Sequence, residues 1–189
     1  MGFLDALRGK QSLRKPTEDR LFAMTTAVIT MQEQGLTPTG KAAIVFQPLG
    51  TADFDAIVVE MTELLAATGD ETGTTIDSRD DSFGYRFMVL SDDDFEDLVV
   101  GLNAVNGALR DGGYADRVLC ALFPFKDAQG RDVHFIYNVK RATYYPFVPA
   151  GGAQQRDNQR ELQLKAQLQN DLPIEEDLAR WFPLWEMPL

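Results

Sequence analysis

Two apolar runs separated by a short polar stretch constrain this chain most. Arg117–Phe125 and Val133–Val139 are rich in Val, Leu, Phe, Ile and Tyr, and only Lys126-Asp127-Ala128-Gln129-Gly130-Arg131 lies between them. A parallel return needs a crossover of a dozen residues or more, so a connection of about six makes an antiparallel hairpin. Val133, Phe135, Tyr137 and Val139 then share one apolar face. His134 falls on the other with Ile136, Asn138 and Lys140, as an exposed or half-exposed strand histidine.

The remaining chain alternates helical and β-rich patterns. Thr17 caps a predicted helix to about Gln34, with Leu21, Phe22, Thr25, Val28, Ile29 and Gln32 as its inner stripe and Gly35 as its stop. Residues 42–47 read as a strand. Phe54, Ile57, Val58, Met61, Leu64 and Leu65 recur at helical spacing over 53–67. A weak edge strand is expected near 75–79 and a firmer one over 83–90. Ser91 with Asp94 has capping-box spacing and opens a helix that Gly112-Gly113 ends. Residues 141–153 are aromatic and broken by Pro and Gly, without helical period. A helix is expected over 157–169, and a short one from Asp171 that carries Leu178, Trp181 and Phe182. Hairpins interleaved with helices predict an α+β fold: a mainly antiparallel sheet with helices packed on it, in a single domain over 17–189.

Composition narrows the chemistry. With 12 Phe, 5 Tyr and 2 Trp in 189 residues the chain can build a sizeable core, while 1 Cys and 1 His exclude disulfide frameworks and multi-His or multi-Cys metal sites. The net charge of −11 is unevenly spread: residues 21–109 hold 3 Lys/Arg against 15 Asp/Glu, which makes nucleic acid a poor partner. Residues 1–16 form a basic amphipathic tail. Phe3, Leu4 and Leu7 beside Arg8 and Lys10 suit a weak contact with an anionic membrane, against the plainer reading of a frayed terminus. No stretch is long and apolar enough for a membrane-spanning helix, and no secretory signal is visible, so a cytoplasmic location is expected.

Site motifs are weak. Gly35-Leu-Thr-Pro-Thr-Gly40-Lys41 matches a phosphate-cradling loop in letters only. Ala42 stands where the magnesium-binding hydroxyl belongs, and the loop runs from helix to strand, so no helix N-terminus faces the phosphates. Cys120 lies in an apolar run and reads as a buried, inert thiol. Asp92, Asp93 and Asp94 are explained as acids at a helix start. No catalytic residue, metal site or cofactor is expected. Two segments are less ordinary: Lys140, Arg141, Tyr144, Tyr145 and Phe147, and Arg180, Trp181 and Trp185. They either pack on the core, the last as a lid over the sheet, or form a docking surface, since Trp, Tyr and Arg dominate interface hot spots.

Several segments together resemble the PspAB family of PspA-associated proteins of actinobacteria. They are Met1-Gly-Phe-Leu-Asp-Ala-Leu7, Gly35-Leu-Thr-Pro-Thr-Gly40, Asn103-Ala-Val-Asn106, Tyr144-Tyr-Pro-Phe147, Arg156-Asp-Asn158 with Glu161-Leu162, Asp171-Leu-Pro173, and Arg180-Trp-Phe-Pro183 with Trp185. The resemblance implies an accessory role beside PspA, the coiled-coil, membrane-associated protein of envelope-stress responses, and carries no catalytic residues. From about residue 73 the element order also looks like the type III secretion chaperone fold shared with YbjN-like proteins. The leading expectation is a non-enzymatic, cytoplasmic protein-binding module with PspA as partner. The alternative is a small-molecule-binding protein or enzyme with a pocket between sheet and helices, His134 and Tyr145 at its mouth. A homodimer formed across a sheet face or edge is a third reading.

Overall fold

The computed structural model describes residues 20–152, 154–185 and 187–189. The tail carrying Phe3, Leu4, Leu7, Arg8 and Lys10 lies outside the described residues. The elements are α1 (Ala23–Glu33), β1 (Thr37–Pro38), β2 (Lys41–Phe46), α2 (Ala52–Thr72), β3 (Thr75–Asp80), β4 (Arg86–Ser91), α3 (Phe95–Asp111), β5 (Val118–Lys126), β6 (Asp132–Asn138), β7 (Thr143–Phe147) and α4 (Asn158–Leu168). All strands join one antiparallel sheet of order β3-β4-β2-β5-β6-β7, with β1 alongside β5. The expected α+β architecture is the observed one.

The central hairpin forms as its turn chemistry requires. Asp127 Oδ1 accepts the amides of Gln129 and Arg131, both at 2.9 Å, and Gly130 takes the left-handed conformation (φ 75°) that closes the turn. Strand pairing sets Phe123 against Phe135 and Tyr137 against Tyr144 on one face, where the four helices lie. Tyr144 is fully buried there and its hydroxyl donates to the Leu21 carbonyl at 2.6 Å. Pairs in the other register, Leu122 with Ile136, Ile136 with Tyr145 and His134 with Phe147, point to the opposite face. No helix covers that second face among the described residues. Close packing of α3 on β4 is permitted by Gly101, where a Cβ would run into the Leu90 δ-methyl.

Several local expectations shift. The buried stripe of α1 is Met24, Ala27, Val28 and Met31, with Leu21 buried just before the helix, and Ile29 is 59% exposed. Apolar residues occur around most of this helix, so periodicity alone leaves its phase open, and packing against α3 and α4 chooses it. α3 is capped by Asp94, whose Oδ1 accepts the Glu96 amide at 2.8 Å, and not by Ser91. Ser91 is held in the sheet by Lys41 and Thr75. The aromatic stretch after residue 141 contains β7, hidden from pattern reading by Pro146. Proline is tolerated because β7 is the last strand of the sheet, touched beyond only by a parallel bridge from Tyr144 to Ile174. The short helix expected from Asp171 is a single 3₁₀ turn at Leu178–Arg180, capped by Asp177.

Candidate functional site

The helix-free sheet face would expose a broad apolar surface if left bare. Residues 181–185 and 187–189 cross it as an irregular strap. Trp181 stacks on Tyr145 (centroids 6.1 Å apart, 21° between planes), and Trp185 meets Phe147 edge-on at 4.9 Å. Tyr145 donates its hydroxyl to the Phe182 carbonyl at 3.1 Å, and Arg79 of β3 reaches the Pro188 carbonyl at 3.3 Å. The last segment is therefore a lid over the sheet, one of the two arrangements open from sequence.

This corrects the picture of Tyr144, Tyr145, Phe147 and Trp181 as exposed docking aromatics. All four are buried: Tyr144 lies on the helix side, Tyr145 and Phe147 under the strap, and Trp181 within it. Large rings contribute most when removed from water, and both sheet faces needed them. Lys140 and Arg141 remain exposed, while Arg180 and Trp185 are half-buried. Arg141 is also structural. It donates to Glu175 Oε2 at 2.5 Å, and Thr143 adds a bond at 3.2 Å. Burial opposes ionisation of Glu175, yet these donors together hold its carboxyl below the ordinary range.

The strap is fastened by a buried ion pair at its root. Arg156 donates from Nε to both Glu161 oxygens at 3.0 Å and from Nη1 to the Trp181 carbonyl at 2.7 Å. Its guanidinium sits 5.4 Å from the centre of the Phe147 ring. Glu161 also accepts the Val148 amide at 2.9 Å. Burial pushes the Glu161 carboxyl above its ordinary range, with Arg156 opposing that shift. Sequence reasoning missed this pair as a site. A signal existed: Glu161 shares its helix stripe with Leu164 and Leu168, which puts a carboxylate at a core position.

His134 and Cys120 both face the strap. His134 is buried, not exposed or half-exposed as expected, because Phe147 stacks against it at 6.0 Å and Met187 and Leu189 line the same cleft. Desolvation depresses its pKa to about 4, with Asp132 pulling upward and Lys126 adding to the depression. Cys120 is buried and desolvation pushes its thiol up to about 12. Native protein is accordingly expected to resist a thiol reagent such as DTNB at pH 8, and to release one equivalent per chain on unfolding in guanidinium. Rapid labelling of the native state would contradict the burial.

Other candidates resolve into local structure. Gly35–Lys41 is the turn from α1 through β1 into β2. Asp92 Oδ1 accepts the Asp94 amide at 2.8 Å, and its other oxygen accepts the Thr74 hydroxyl. No group of three or more metal-ligating side chains occurs among the described residues. A cleft does lie between helices and sheet, lined by Gln32 of α1, Thr37 of β1 and Phe95 and Leu98 of α3, but Tyr145 and His134 are not at its mouth: they line clefts on the opposite face, under the strap.

An antiparallel sheet with helices on one face and a fastened strap on the other defines an α+β domain. The chain belongs to the PspAB family, PspA associated protein B, whose profile matches residues 1–189. No curated protein and no solved structure gave a match, so the likeness to the secretion-chaperone fold rests on element order alone.

Proposed function

We propose that this chain is a non-enzymatic accessory module that binds a protein partner, PspA, on the surface formed by α4 and the root of the strap. The observation that carries it is a groove of about 300 Å³ lined by Leu162, Leu178 and Trp181. Leu162 and Leu178 are 48% and 50% exposed, and Phe182 follows at 61%. Exposed leucines converging on one groove beside an aromatic floor suit the apolar stripe of an amphipathic helix. Arg180, next to Trp181 and paired with Asp177, and Lys140 and Arg141 further along, the latter paired with Glu175, complete the surface. Trp185 belongs to the same reading through the strap it anchors.

Calorimetry with purified PspA tests this. Leu162→Glu with Leu178→Glu is expected to weaken binding by about tenfold or more, while the melting temperature stays near that of the parent. Unchanged affinity in the double variant would overturn the surface. The reading includes a cytoplasmic location and weak binding to anionic lipid through Phe3, Leu4, Leu7, Arg8 and Lys10. In vesicle flotation, the full chain is expected to rise with anionic vesicles, and the Arg8→Glu, Lys10→Glu double variant to stay in the dense fraction.

A further inference from the structure

Under the strap runs a second groove, of about 380 Å³. It crosses the helix-free face from Asp81, after β3, to Lys140, after β6, and Phe182 and Leu184 roof it. Its floor includes Phe87 of β4, Val45 of β2, Cys120 of β5 and Tyr145 of β7. Neighbouring strands are about 4.8 Å apart, so the four steps from β4 to β7 make it about 19 Å long. A trough of that length takes an extended medium-length alkyl chain lying across the strands.

Most polar atoms along it are already engaged. Tyr145 donates to the Phe182 carbonyl, Asp81 Oδ1 accepts the amides of Phe83 and Tyr85 at 2.8 Å, and Asn138 Oδ1 accepts the Arg141 amide. Arg141 itself is taken by Glu175. Lys140 is the cation at the rim, exposed and without an ion pair among the described residues. An apolar trough with one uncommitted positive charge at its end selects an apolar tail with an anionic head. A peptide would bring backbone groups that these walls leave unsatisfied.

We propose that the groove binds a free single-chain anionic amphiphile, a medium-chain alkyl carboxylate, with its head at Lys140 and its tail under Phe182 and Leu184. This site shares Lys140 and Phe182 with the margin of the proposed PspA surface but none of the groove lined by Leu162, Leu178 and Trp181, so the Leu162→Glu, Leu178→Glu variant, expected to keep dodecanoate binding, separates failure of one from failure of the other. Calorimetry on the full chain, with ligands below their micelle concentrations, tests it. Dodecanoate is expected to bind one-to-one and at least about tenfold tighter than octanoate, since each buried methylene is worth about fourfold. Dodecyltrimethylammonium is expected not to bind. Lys140→Glu should weaken dodecanoate by about tenfold, and Leu184→Trp, which fills the trough, should abolish binding. Lys140 is exposed, so that variant keeps its fold and carries the test even if Leu184→Trp does not. The site is refuted by no dodecanoate binding, by equal binding of the cationic amphiphile, by an unaffected Lys140→Glu variant, or by binding to phosphatidylglycerol vesicles alone.

Discussion

Replacing Arg156 with Met should destabilise the protein by about 3–5 kcal/mol, because it leaves a buried carboxylate unpaired. Glu161 is only 2% exposed, and its remaining partner would be the Val148 amide. The Trp181 carbonyl loses its donor in the same step. For a domain of this size the melting temperature should fall by roughly 10 °C. Trp181 and Trp185 are the only tryptophans in the chain and both lie on the strap, so intrinsic fluorescence reports its release directly. A red shift of emission below the melting transition is expected in Arg156→Met. Arg156→Met with Glu161→Leu should recover most of the loss, since an apolar pair of similar volume needs no counter-charge. If the single variant melts like the parent, the pair does not fasten the strap.

The second large effect is a loss of stability on mild acidification through His134. Its folded pKa is about 4 against an ordinary 6.5, so between those values the unfolded chain binds the proton and the folded chain does not. Stability therefore rises with pH across this window, and is lost as pH falls from about 6.5 towards 4. A separation of this size is worth about 3 kcal/mol at full development. Glu161 acts in the opposite sense, because its raised pKa favours the folded state as it takes up a proton. Asp77, Asp80, Asp127 and Glu175, held below their ordinary values, contribute losses at lower pH, where carboxylates titrate. The diagnostic quantity is the difference between parent and His134→Gln, measured by urea unfolding at pH 7, 5.5 and 4.5. The variant should be the less pH-sensitive of the two between pH 6.5 and 4.5. Equal slopes would show that His134 is hydrated or charged in the folded state.

The central hairpin, α3 and α4 are legible in the sequence because their period and stop signals agree, whereas α2 shows its helical period but runs to Thr72, through Gly69 and past the end near residue 67 that the pattern predicts. β7 is not, since Pro146 breaks the strand pattern and its pairing is set by distant partners in β6. The phase of α1 is not legible either. Met24, Ala27 and Met31 compete with Phe22, Thr25 and Ile29 for the inner face, and only the positions of α3 and α4 decide between them. The candidate site divides the same way. The late tyrosines and tryptophans stand out as unusual, but whether a ring is touched by a partner or by its own chain depends on where residues 181–185 and 187–189 travel.

By itself, then, the sequence determined an antiparallel α+β domain, an acidic chain with no metal-ligand pattern, and membership of a family through motifs in order along the whole chain. These are properties of local spacing and composition, which survive without knowledge of neighbours. Only the tertiary structure decided that the strap crosses the helix-free face, that Arg156 and Glu161 pin it, and that His134 is buried. Each depends on contacts between residues far apart in the chain, and burial and charge pairing are set by those contacts and not by residue type.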